Sequence, residues 1–107
     1  MDKLLFVFTL NGNDYKVLQA DCINDEKDIM GYTVFTESVV YIKKMSENQM
    51  LRTLKHELTH VWLYEYGHNQ HDEDKSFNNE DICEIVACSN DFINEMVKKY
   101  QNAKKNG

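Results

Sequence analysis

At Ser46 the apolar residues of this chain change their period, and that change constrains the fold more than any other feature. Before it, apolar residues come in short runs rich in β-branched and aromatic side chains, which read as strands. After it, they recur every three or four residues, as on one face of a helix. The predicted strands are Leu4–Leu10, Tyr15–Ala20, Tyr32–Thr36 and Val39–Lys43. Asn11-Gly12 is a favoured hairpin pair because both residues tolerate positive φ, and Glu37-Ser38 is short enough for a second hairpin. Asn24 to Asp28 is polar and reads as a loop or a short turn of helix. The expectation is a sheet of three or four mostly antiparallel strands.

Ser46 has the chemistry of a helix N-cap, with Gln49 three residues on and Met45 and Met50 in the staple positions around it. The first predicted helix runs from Glu47 to Tyr66, with the stripe Leu51, Leu54, Leu58, Val61 and Trp62, and Gly67 suits the position after its end. Gly67 to Asn79 reads as a polar loop. A second helix is predicted over Glu80 to Gln101, with Ile82, Ile85, Val86, Ser89, Ile93, Met96, Val97 and Tyr100 on one side. Proline is absent, so nothing interrupts either helix. The pattern is α+β, a small sheet followed by two helices, and 107 residues fit one domain spanning 1–107.

The formal net charge of −6 argues against a nucleic-acid-binding face. Lys98, Lys99, Lys104 and Lys105 form the one basic cluster and read as a solvated last helical turn that offsets the helix dipole. Three cysteines, Cys22, Cys83 and Cys88, without a CxxC spacing, argue against a disulfide framework or a cysteine-zinc ribbon. They are expected as buried thiols in a reducing cytoplasm. Leu4–Leu10 is too short for a signal peptide, and no stretch is long enough to span a membrane.

The chemistry concentrates in His56-Glu57-Leu58-Thr59-His60, an HExxH motif inside the first predicted helix. One turn separates the histidines, so both imidazoles leave the same face and can hold one metal ion. With His56 at zero on a helical wheel, His60 falls at about 40°, Glu57 at about 100° and the apolar stripe near about 180°. The helix thus has a metal face and a core face. Glu57 stands beside the metal position, suited to take a proton from a water that zinc makes acidic at a pH of about 7. A chance match on an amphipathic helix is the plain alternative.

A catalytic zinc needs a third protein ligand. The metzincin extension would require glycine at position 63 and histidine at position 66, where this chain has Leu63 and Tyr66. The remaining ligands are Glu80, Asp81 and Glu84 on the second helix, and His68 and His71 in the loop. Glu84 is favoured because Ala87 and Cys88, both small, allow the helices to approach there. Glu80 is the main rival. On the wheel Glu84 falls far from the longest apolar stripe, so the helix must meet neighbours on two sides to bring it to the metal. Tyr64, on the metal side, is a donor to a substrate oxyanion or an aromatic cover for the site. Asp72-Glu73-Asp74 reads as a solvated loop.

The order of hairpin, HELTH helix and Glu84-Ile85-Val86-Ala87 resembles the short zincin-type proteins of phages and mobile elements related to the ImmA/IrrE metallopeptidase family. The resemblance covers roughly Gly31 to Asn90. It implies a minimal zincin-like fold with His56, His60 and Glu84 as zinc ligands, Glu84 matching the glutamate of the family's downstream ExxA. It also implies peptide-bond hydrolysis of a protein or peptide substrate, in some members a repressor that controls a mobile element. The alternative from a different class is a zinc-stabilised protein-binding module without turnover.

Overall fold

The structure is a computed structural model that describes residues 2–23, 28–66 and 79–106, and side chains 83–105 of the last segment. Four strands, β1 (Lys3–Leu10), β2 (Asn13–Ala20), β3 (Gly31–Val34) and β4 (Val39–Lys43), are followed by α1 (Glu47–Glu65) and α2 (Asn79–Asn106). The α+β expectation holds.

Asn11 (φ 51°) and Gly12 (φ 81°) make the two-residue turn between β1 and β2, where Leu10 faces Asn13. Two successive positive φ values match the right-handed twist of the flanking strands. A bulge between Leu4 and Phe6 breaks the alternation in β1. It explains how neighbours Leu5 and Phe6 are both buried.

The sheet order is β1-β2-β4-β3. β1–β2 and β3–β4 are antiparallel, and β2–β4 is parallel, with Lys16 opposite Val39 and Ala20 opposite Lys43. The sheet is therefore mixed. β3 lies on the outer side of β4, which makes it an edge strand. It is also shorter than its sequence suggests. Phe35 and Thr36 belong to a four-residue turn closed by Glu37 N–H to the Val34 carbonyl (3.2 Å), with Ser38 at φ 56°.

Both helices pack on one face of the sheet, α1 against β3 and β4 and α2 against β1. Val17, Val40 and Ile42 from the sheet meet Met50, Leu54, Leu58 and Val61 of α1, each at most 1% exposed. Burial of each such side chain contributes about 1.5–3 kcal/mol. Ile85, Met96 and Tyr100 close the core from α2, with Phe92 and Ile93 packed at its margin. Val86, expected on the buried stripe, is 59% exposed instead. It lies beside Ile85 on the helix but turned from the core, and Phe92 takes a place there that the stripe did not include.

Ser46 caps α1 as expected, its Oγ accepting from the Gln49 N–H (3.4 Å). The Ser46 hydroxyl in turn donates to Gln49 Oε1 (3.1 Å). Tyr66 closes the helix through its N–H to the Trp62 carbonyl. Gly67 and residues 68–78, where a polar loop with the acidic run Asp72-Glu73-Asp74 is expected, lie outside the described residues.

α2 extends a turn beyond its predicted end, and that turn has a structural use. Lys104 donates to Gln19 Oε1 (2.8 Å) and pairs with Glu47 (3.5 Å), whose carboxylate also accepts from the Tyr100 hydroxyl (3.1 Å). Lys104 is thus a tie between α2, β2 and the start of α1, not part of a purely solvated turn. Burial, then the hydrogen bond and charge of Glu47, push the Tyr100 hydroxyl well above the usual phenol range. The cysteines depart from expectation too: Cys22, Cys83 and Cys88 are all exposed. Among the described residues, no helix is long and apolar enough to cross a membrane.

Candidate metal centre

His56 and His60 leave α1 one turn apart, and their Nε2 atoms stand 3.1 Å from each other, with the rings nearly perpendicular at 78°. Two zinc–nitrogen bonds of about 2.0–2.1 Å at a tetrahedral angle place their nitrogens about 3.3 Å apart. The observed pair comes within a few tenths of an ångström of that bite. Both histidines are exposed. The pair fits zinc through two imidazole nitrogens, a donor type that zinc accepts readily.

Glu57 is placed differently from its neighbours. It is only 7% exposed, and Thr33 of β3 donates its hydroxyl to Glu57 Oε1 at 2.8 Å. That contact depends on Gly31. A Cβ built there would stand 2.6 Å from Thr53 Cγ2 and 3.0 Å from Glu57 Cγ, so β3 sits against α1 more closely than any side chain would permit. Thr53, Glu57, Leu54 and Leu58 consequently share one buried arc of α1. The wheel put Glu57 at the side of the metal face, and the packing of β3 turned it into a buried, oriented carboxylate.

Among the described residues, His56, Glu57 and His60 form the one group whose potential ligand atoms all lie within 4.8 Å of one another. Glu84 is exposed on α2, and its carboxylate is not part of that group. Ile85 and Ser89 turn to the core, which directs the Glu84 side of the helix outward. His68 and His71 lie outside the described residues, as do the side chains of Glu80 and Asp81. Tyr64 is 40% exposed and stacks on Phe35, with ring centroids 4.4 Å apart and planes at 23°. The β3–β4 turn therefore holds its ring. Thr59, inside the motif, donates to the Lys55 carbonyl (2.8 Å), a bond along its own helix.

The end of α1 is fixed by the first hairpin. Glu65 accepts from Asn13 Nδ2 (2.7 Å) and from the Tyr15 hydroxyl, while Asn11 Nδ2 donates to the Glu65 carbonyl (3.0 Å). Burial, followed by the hydrogen bond and charge of Glu65, pushes the Tyr15 phenol far above its usual range. These bonds hold the turn of helix that follows His60.

A cavity of about 350 Å³ adjoins the centre, lined by Asp28, Met30, Gly31, Arg52, Thr53, His56 and Glu57. Sequence reasoning missed Gly31, Thr33 and Phe35, because their roles arise from the approach of β3 to α1. Arg52 was within its reach, since it stands four residues before His56 on the same helix face.

Comparison with protein-family models, with curated proteins and with solved structures found no match.

Proposed function

We propose that this chain is a zinc-dependent metallopeptidase, related in design to the ImmA/IrrE-type zincins of phages and mobile elements. The observation that carries the reading is the 3.1 Å bite of His56 and His60 with the oriented carboxylate of Glu57 beside it. The two histidines would hold the ion. A catalytic site requires a third protein ligand; Glu84 keeps its carboxylate outside the group of His56, Glu57 and His60 in this structure, so Glu80, Asp81, His68 and His71 stand beside it as candidates. Zinc bound there would supply Lewis-acid polarisation of a carbonyl and a water acidic near neutral pH. Glu57 then takes a proton at its carboxylate and delivers it to the leaving amine. Its bond from Thr33 keeps that carboxylate aimed without adding charge. Tyr64, whose ring stacks on Phe35, is the residue we assign as phenolic donor to the developing oxyanion. The substrate is a protein or peptide, and β3 supports this: an edge strand beside the centre offers backbone groups to an extended chain. The odd number of cysteines fits a cytoplasmic protein.

One observation favours a second reading. The Thr33–Glu57 bond ties β3 to α1, which is also what a zinc-stabilised binding module without turnover would need. Glu57→Gln separates the two. Glutamine keeps the shape and an acceptor for Thr33 but has no carboxylate to move a proton. The metallopeptidase reading expects zinc binding and melting close to wild type, with peptide hydrolysis down by about 10²–10⁴-fold. Hydrolysis or biological effect undiminished in that variant would refute the enzyme reading.

A further inference from the structure

Arg52 is the only arginine in the chain; the other Lys and Arg positions are all lysine. It lies one turn before His56, on the same side of α1, and its side chain lines the cavity that adjoins the centre. Asp28 and Glu57 line the same cavity, yet Arg52 forms no ion pair or hydrogen bond among the described residues. A guanidinium presents a flat fork of donors that matches a carboxylate at two points, which a lysine ammonium does not. Among the described residues no carboxylate engages the fork that stands next to the centre.

We propose that Arg52 is a specificity-determining residue that binds a carboxylate of the peptide, seated in the cavity of Asp28, Met30, Gly31, Thr53 and His56. The inference rests on the metallopeptidase reading of the same centre. The carboxylate comes either from an Asp or Glu side chain near the bond to be cleaved or from the C-terminus of the peptide. Asp28 and Glu57 repel it, so it is confined to the Arg52 side of the cavity. Met30, 53% exposed, and the methyl of Thr53 give the rest of the wall an apolar lining that suits the aliphatic part of the same residue.

The test is peptide capture on immobilised, zinc-loaded Glu57→Gln protein, using a random octapeptide library made half as free acids and half as amides. Mass spectrometry of the retained pool gives the readout. The expected result is enrichment of carboxylates. Enrichment of Asp and Glu at one position identifies the side chain as the source, and enrichment of free acids over amides identifies the C-terminus. Adding Arg52→Gln is expected to reduce that enrichment about tenfold, equivalent to about 1.4 kcal/mol. Arg52→Lys restores part of it, because the charge remains and the fork does not. Zinc content is expected to stay at the parent level in both variants, since Arg52 is exposed and ligates nothing. Retention without carboxylate enrichment, enrichment unchanged by Arg52→Gln, or no retention at all overturns the inference. Cleavage of the library by the wild-type protein tests the parent reading separately. Cleavage with no carboxylate preference removes the role of Arg52 and leaves the peptidase. Arg52-dependent capture with no cleavage removes the peptidase and leaves the pocket.

Discussion

Replacing Gly31 by alanine tests the contact on which the whole centre leans. The added methyl would meet Thr53 Cγ2 at 2.6 Å, Glu57 Cγ at 3.0 Å and Glu57 Cδ at 3.3 Å. Carbon atoms rest comfortably at about 3.5–4.0 Å, so the strand and helix must separate locally by about 1 Å. Thr53 and Glu57 are both buried on α1, whose opposite ends are held by Glu47 and Glu65. The four-residue edge strand β3 is the softer partner and is expected to move. Overpacking of this kind costs about 1–3 kcal/mol. For a domain near 100 residues that lowers the melting temperature by about 4–8 °C per kcal/mol. Thermal and urea unfolding of Gly31→Ala measure the cost directly. Thr53→Ser removes the methyl that makes the shortest contact, so Gly31→Ala should cost about 1 kcal/mol less in that background. Zinc content should be unchanged while hydrolysis falls, because the shift moves Glu57 and not the histidines. Unfolding curves that superimpose on wild type, or an equal cost in both backgrounds, would refute the argument that β3 positions Glu57 through a missing side chain.

Two further outcomes follow from the metal ligands and the buried phenols. Purified protein is expected to carry near one zinc per chain, lost in His60→Ala, with elemental analysis of Glu84→Ala and Glu80→Ala assigning the third ligand. Zinc retained in Glu84→Ala would remove that residue from the ligand set. Tyr15 and Tyr100 both hold their protons more tightly when folded than the ordinary phenol at about 10. Their contribution to stability is therefore complete below about pH 10 and is lost as pH rises from there towards the folded values. Urea midpoints between pH 9 and 11.5 should fall more steeply for wild type than for the Tyr15→Phe, Tyr100→Phe double variant, and parallel slopes would refute the assignment.

Much of this architecture was legible in residue order because it depends on local periodicity. The change of period at Ser46 located α1 to within a residue, and Asn11-Gly12 located the first turn, since caps and tight turns are satisfied by the side chains that form them. The pairing of His56 and His60 was equally legible, because helical geometry alone brings two imidazoles one turn apart to a common point. The parallel pairing of β2 with β4, the edge position of β3 and the length of α2 were not. They depend on contacts between residues far apart in the chain, which no local pattern records. The same limit separates the two parts of the centre. Sequence by itself determined that two histidines could share a metal and that a glutamate stands beside them. Tertiary structure decided that Glu57 is buried and held by Thr33, that Arg52 looks into a cavity, and that Glu84 faces outward. The physical reason is that a helix sets the angle between its own side chains, whereas burial and hydrogen bonding depend on what packs against it, here a strand that approaches closely because residue 31 has no side chain.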